Sequence, residues 1–138
     1  MLIFEKIEIF TCFFMTGVIW IVQLVHYPSF FYVAKEKFKK FEAFHQKNIS
    51  FIVLPSMCLE LFSNLILLLY FQTHTGVLNY LASLALLLIW AVTFFICMPC
   101  HLKLSSGFEI KEAKRLTFAN WLRTFLWSFR SFYLLSTF

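Results

Sequence analysis

The sequence predicts an all-α fold, a single integral membrane four-helix bundle spanning residues 1–138, and three observations carry that expectation. Apolar residues make up 61% of the chain and charged residues 14%, against about 45–50% and about 25% in soluble domains. Four apolar stretches each reach the roughly 20 residues that a hydrocarbon core requires. Only three Gly and three Pro occur, which disfavours linkers, collagen-like repeats and loop-rich β architectures. Backbone polar groups in lipid must be satisfied within their own segment, so the apolar stretches read as helices.

The first charge-free run extends from Ile9 to Ala34. It is too long for a signal peptide, Glu5 and Glu8 offset Lys6, and no small-residue cleavage pattern follows, so it is expected to remain in the mature protein. Pro28 is expected to end this helix just after His26. From Lys35 to Asn48, Phe38, Phe41 and His45 recur at helical spacing with the lysines largely elsewhere. This segment is a short amphipathic helix at the interface or an extension of the next span. The second run covers Ile49 to Gln72, includes Glu60, and carries Pro55 as a candidate kink. The third runs from Val77 to Leu102, and the fourth from Leu116 to Phe138 with Arg123 and Arg130 inside it.

Basic residues accumulate in cytoplasmic loops. Lys35, Lys37, Lys39, Lys40 and Lys47 fall in the first connection and Lys103, Lys111, Lys114 and Arg115 in the third, while Gln72 to Gly76 has none. Connections one and three are therefore expected in the cytoplasm and both termini on the opposite side. The net charge of +5 reads as topology and contact with anionic headgroups of the bilayer, not as nucleic-acid binding.

Ionisable side chains at membrane depth are the informative residues, because each is costly there. Along their helices Glu60 lies about 16 Å, Arg123 about 10 Å and Arg130 about 21 Å from the cytoplasmic ends, so either arginine reaches Glu60. Glu60 is expected to be the only acid within a span, and Arg130 is close enough to the outer face for snorkelling there to be an alternative to pairing with Glu60. Asn120, Arg123, Trp127 and Arg130 form one stripe that belongs in the bundle interior, opposite Glu60 and Asn64. Glu60 and an arginine either fix helix register as a buried pair or orient a ligand or proton carrier.

His26, His45 and His101 fall on the cytoplasmic side and His74 in the outer turn, where it is expected to be solvated. Converging imidazoles suit a transition metal or general acid–base chemistry. Their spacing matches no established zinc pattern, and Glu60, about 22 Å beyond His45 along a straight helix, cannot share an ion with it. A metal would use His26, His101 and His45. The fragment Cys97-Met98-Pro99-Cys100-His101 formally matches C-x-x-C-H, the haem attachment signature, and C-x-x-C, a thiol redox pair. A cytoplasmic location argues against both. Cys12 and Cys58 read as small apolar fillers.

Met98-Pro99-Cys100-His101-Leu102-Lys103-Leu104, followed by Leu116 to Trp127 with Asn120-Trp121-Leu122-Arg123-Thr124, resembles the small four-helix membrane proteins grouped with anthrone oxygenases. The resemblance lies in the C-terminal half. It implies a four-helix bundle and oxidation of a polycyclic phenolic substrate by molecular oxygen. Pro99, Asn120 and Arg123 fit the family pattern, whereas Cys100-His101 stands where Leu-Asn is common.

Two functions follow as expectations. The first is a membrane-embedded oxidoreductase, oxygenase-like, acting on a lipophilic small molecule in the cytoplasmic half, with or without a metal. Its catalytic set is His26, His101, Asn120, Arg123 and Glu60: a histidine removes a proton while Arg123 and Asn120 stabilise the oxyanion. The second is a non-catalytic bundle, an assembly or partner-binding subunit whose polar stripe sets helix packing. A transporter is disfavoured because no pair of broken helices is apparent, although a homo-oligomer enclosing a pore stays open. Reporter fusions after residues 74 and 107 are expected to report opposite sides of the membrane, with the latter cytoplasmic; the reverse result would reinstate haem attachment at Cys97 to His101.

Overall fold

A computed structural model describes residues 2–71 and 76–137; His74 lies outside the described residues. The chain forms four long helices, α1 (Ile3–Tyr32), α2 (Lys35–Phe71), α3 (Val77–Leu104) and α4 (Ile110–Ser136), with no strand among the described residues. By length and composition α1, α2 and α3 are apolar enough to cross a membrane. α4 is not among them; Lys111, Glu112, Lys114 and Arg115 lie on its first turns and Arg123 and Arg130 further along it. Large apolar side chains such as Phe10, Phe95, Phe118 and Phe132 stand exposed on the outer faces, a surface compatible with contact to lipid.

Two helix boundaries differ from the sequence expectation, and a third settles between the two alternatives it left open. α1 begins at Ile3, with Glu5 Oε2 accepting the Leu2 N–H at 2.6 Å, so Glu8 is part of the helix. Pro28 does not end it. A proline removes one N–H and crowds the carbonyl four residues back, and both problems are absorbed by a π-helical turn over Val22–His26, in which the Tyr27 N–H bonds the Val22 carbonyl five residues back. The same solution recurs in α3, where Thr93–Cys97 forms a π-turn ahead of Pro99 and the Met98 N–H bonds the Thr93 carbonyl. Finally, the segment after Lys35 is an extension of α2, which runs unbroken past Pro55 and buries Phe38, Glu42 and His45 on one face.

α1 packs against both α2 and α4, and α3 against α4; α2 and α3 meet chiefly at the Met98–Leu104 end of α3. The bundle is therefore open along one side. Two apolar clusters fill it, one around Tyr27, Phe30, Phe38, Cys100, Leu104 and Leu116, the other around Met15, Ile19, Met57, Ile89, Trp127 and Leu134. The α3–α4 turn carries Gly107 at φ 150°, a region that favours glycine. Beside it Lys103 Nζ donates to Glu112 Oε1 at 2.9 Å, and that ammonium holds the Glu112 carboxyl below the usual carboxylate range.

Between the helices at the end away from the α3–α4 turn, Arg130 is 0% exposed. Its Nε donates to Glu60 Oε1 at 3.0 Å, its Nη2 to Glu8 Oε1 at 2.9 Å, and its Nη1 to the Ala82 carbonyl. Trp127 Nε1 donates to Glu60 Oε2 at 3.0 Å and Asn64 Nδ2 to Glu8 Oε1 at 2.8 Å. One expectation is corrected here: Glu60 is not the only acid within a span, because Glu8 lies on α1. Of the two alternatives for Arg130 the structure takes pairing over snorkelling, with two carboxylates and a carbonyl satisfying it inside.

Breaking a buried ion pair from one side leaves an uncompensated charge and costs about 3–5 kcal/mol, whereas replacing the whole set with neutral groups is far milder. Arg130→Met is expected to lower the thermal midpoint of the purified protein by the larger cost. Adding Glu8→Gln and Glu60→Gln to it is expected to recover most of that loss in the same melting experiment.

Candidate functional site

At the end of the bundle next to the α3–α4 turn, three helix segments converge. The π-turn of α1 leads into His26 and Tyr27, the extension of α2 presents Glu42, His45 and Gln46, and the π-turn of α3 leads into Cys97, Cys100 and His101. His101 Nδ1 lies 2.6 Å from Glu42 Oε1, and His101 Nε2 lies 3.2 Å from the Tyr27 hydroxyl. A carboxylate only accepts, so Nδ1 carries the proton and Nε2 is left to accept from the phenol; the tautomer follows from the network. Gln46 Nε2 braces this arrangement, donating to Glu42 Oε1 at 3.0 Å and to Ser105 Oγ at 2.7 Å. The His26 and His45 rings stack at 3.9 Å between centroids, and His45 sits 5.6 Å from His101.

Deeper in the bundle, Arg123 is only 5% exposed. Its Nη1 donates to Asn120 Oδ1 at 3.2 Å and to Cys97 Sγ at 3.9 Å, and its guanidinium carbon lies 5.2 Å from the centre of a Trp127 ring. Asn120 Nδ2 in turn donates to Gln23 Oε1 at 2.9 Å. The Arg123 Nε–H has no partner. Among the described residues no carboxylate stands within ion-pairing distance of Arg123. A buried cation with weak neutral acceptors is a costly arrangement unless something else compensates it.

Arg123 borders a cavity of about 550 Å³, within the size range of small-molecule sites. Tyr27, His45, Gln46, Cys97 and His101 also line it, amid apolar side chains of α1, α2 and α3. Its walls reach the exterior between α2 and α3, where Leu54, Phe94, Met98 and Leu102 border the cavity and are themselves exposed. A carboxylate, an imidazole and a phenol in series can move a proton. A guanidinium facing them can hold a developing oxyanion.

Of the residues singled out in the sequence, His45, His101 and Arg123 line this cavity, and Asn120 positions Arg123 from behind. His26 touches the cluster through its stack on His45 but does not line the cavity. Glu60 belongs to the separate Arg130 cluster and borders no part of it. The metal expectation for His26, His45 and His101 is not met: among the described residues no group of three His, Cys, Asp or Glu side chains is arranged to hold an ion. The physical reason is that two of the imidazoles stack face to face, while both nitrogens of the third are occupied by Glu42 and Tyr27. Cys97 turns to Arg123 and His101 to Glu42, so the Cys97 to His101 fragment divides between two networks.

Glu42, Tyr27 and Gln23 escaped the sequence reading. Glu42 was legible in principle, as the one acid on the apolar face that bears Phe38 and His45. Tyr27 and Gln23 carried no signal in sequence, because a tyrosine or glutamine near a helix end is ordinary at a membrane interface. No protein-family model, curated protein or solved structure matches the chain, so the site stands on its own geometry.

Glu42→Gln keeps the side-chain volume and removes the charge that fixes the His101 tautomer. The expected outcome is a loss of about 1.5–3 kcal/mol of stability together with a mixed tautomer population at His101, read from its imidazole nitrogen NMR shifts.

Proposed function

We propose that this chain is a four-span membrane protein that performs acid–base chemistry, oxygenase-like in outcome, on a lipophilic molecule bearing a phenolic or enolisable oxygen. In this reading the cavity lies in the cytoplasmic half of the bilayer and both termini on the other side, which the lysine-rich connections support. α4 spans despite its composition because its arginines face inward. The single observation that carries the proposal is Arg123, a buried guanidinium without a carboxylate, bordering an apolar cavity opposite the Glu42–His101–Tyr27 series.

Arg123 receives the substrate oxygen, with Asn120 holding the guanidinium in place. His101 Nε2, directly or through the Tyr27 hydroxyl, takes the proton that leaves as negative charge builds on that oxygen, and Glu42 stabilises the imidazolium. For a ketone with an activated CH₂, the carbanion combines with O₂ to give a peroxide anion. Reprotonation and loss of water then convert CH₂ to C=O, with the second oxygen atom leaving in the water. The Glu8–Arg130–Glu60 cluster favours the other function for its own half of the molecule. Its polar groups are satisfied by one another, which supports a packing role there.

An anthrone, a tricyclic diaryl ketone with an activated CH₂ and a phenolic enol form, is a suitable probe in lipid nanodiscs. Arg123→Gln is expected to weaken its binding about 10- to 100-fold, the worth of one charge-assisted hydrogen bond. His101→Ala is expected to slow probe-dependent oxygen uptake by about 100-fold or more while leaving binding nearly intact. Equal uptake by wild type and both variants would overturn the proposal.

A further inference from the structure

The side of the bundle left open between α2 and α3 bears on what kind of molecule reaches Arg123. Four of the side chains that wall the cavity, Leu54, Phe94, Met98 and Leu102, are 49%, 48%, 52% and 74% exposed, so the inner wall and the outer surface are the same residues. Among the described residues α2 and α3 come together chiefly at Met98–Leu104, and further along Arg130 links them through Glu60 and the Ala82 carbonyl. Polar residues of the lining include Tyr27, His45, Gln46, His101 and Arg123. Arg123, more than nine-tenths buried with its Nε–H unpartnered, marks the deep end.

An apolar slot with a single buried cation at its end sorts a ligand by parts. A headgroup with an acidic oxygen gains at Arg123, while a hydrocarbon substituent loses nothing by staying outside, because lipid is as apolar as Leu54 or Phe94. We infer that the ligand is a phenol carrying a long alkyl or prenyl chain, its head seated at Arg123 and its chain passing out between α2 and α3 into the bilayer. This inference rests on the reading under Proposed function and narrows its substrate class from lipophilic molecules in general to chain-bearing ones. It assigns Leu54, Phe94, Met98 and Leu102 to the chain, not to the ring.

The test uses radiolabelled para-propylphenol, para-octylphenol and para-hexadecylphenol bound to the full chain in nanodiscs, with empty nanodiscs subtracted and concentrations expressed as mole fraction in lipid. That scale removes the partitioning gain of each added CH₂. Affinity is expected to stay constant within about threefold across the series, and to fall for all three phenols in Arg123→Gln. If the propyl compound binds in an Arg123-dependent way and the hexadecyl compound does not, the cavity is closed and this inference is overturned while the site remains. If none of the three binds, both fall. A second variant, Leu54→Trp, narrows the slot away from the polar groups. It is expected to weaken the hexadecyl compound at least about tenfold more than the propyl compound, and equal effects on the two, including none, would overturn the inference.

Discussion

Arg130 is the side chain on which the arrangement of the four helices depends. It projects from α4 and bonds Glu8 on α1, Glu60 on α2 and the Ala82 carbonyl on α3, so one guanidinium touches every other helix. A buried cation that water does not reach must find all its acceptors inside the protein, and a guanidinium has five N–H donors in a fixed fork. Few arrangements of four helices place two carboxylates and a free carbonyl around that fork at once. Apolar packing alone gives helices in lipid little preference of register, because side chains and lipid tails are alike. The Arg130 cluster supplies that preference.

Once this end is fixed, Trp127 divides the interior. Its indole N–H is committed to Glu60, and its ring presents a face to Arg123. One end of α4 is thereby anchored in a satisfied network, whereas one heptad spacing away the second arginine has only Asn120, Cys97 and an aromatic face. Two arginines on the same stripe of one helix thus have opposite surroundings. The difference lies in what α1, α2 and α3 bring to each: carboxylates at Arg130, and at Arg123 an opening.

That opening owes its shape to two prolines. Each of Pro28 and Pro99 follows a π-turn, and an extra residue in a turn rotates everything beyond it on the helix face. Tyr27 and His101, which follow those turns, meet across the bundle and bond each other. The α2 extension, held there by the Phe38 contacts with Phe30 and Phe108, adds Glu42 and His45. Acid–base groups and a guanidinium without a carboxylate thereby line the same largely apolar cavity.

Composition alone determined the helical class and the apolar character, because 61% apolar residues in runs of this length have few other ways to satisfy a backbone. The period of α4 likewise showed that Asn120, Arg123, Trp127 and Arg130 turn inward together, since a helix keeps residues of that spacing on one side. The grouping of His26, His45 and His101 near one end was legible from their places relative to the lysines. Partner choice was not. Glu60 pairs with Arg130 and not Arg123, Glu8 enters the interior from a segment that looked like a polar flank, and Glu42 emerges from a lysine-rich stretch as the acceptor of His101. Each of these depends on the relative translation and rotation of helices far apart in sequence, and a local pattern carries no information about either. The sequence by itself determined which residues are expensive to bury; the tertiary structure decided which were given partners and which one, Arg123, was left facing a cavity.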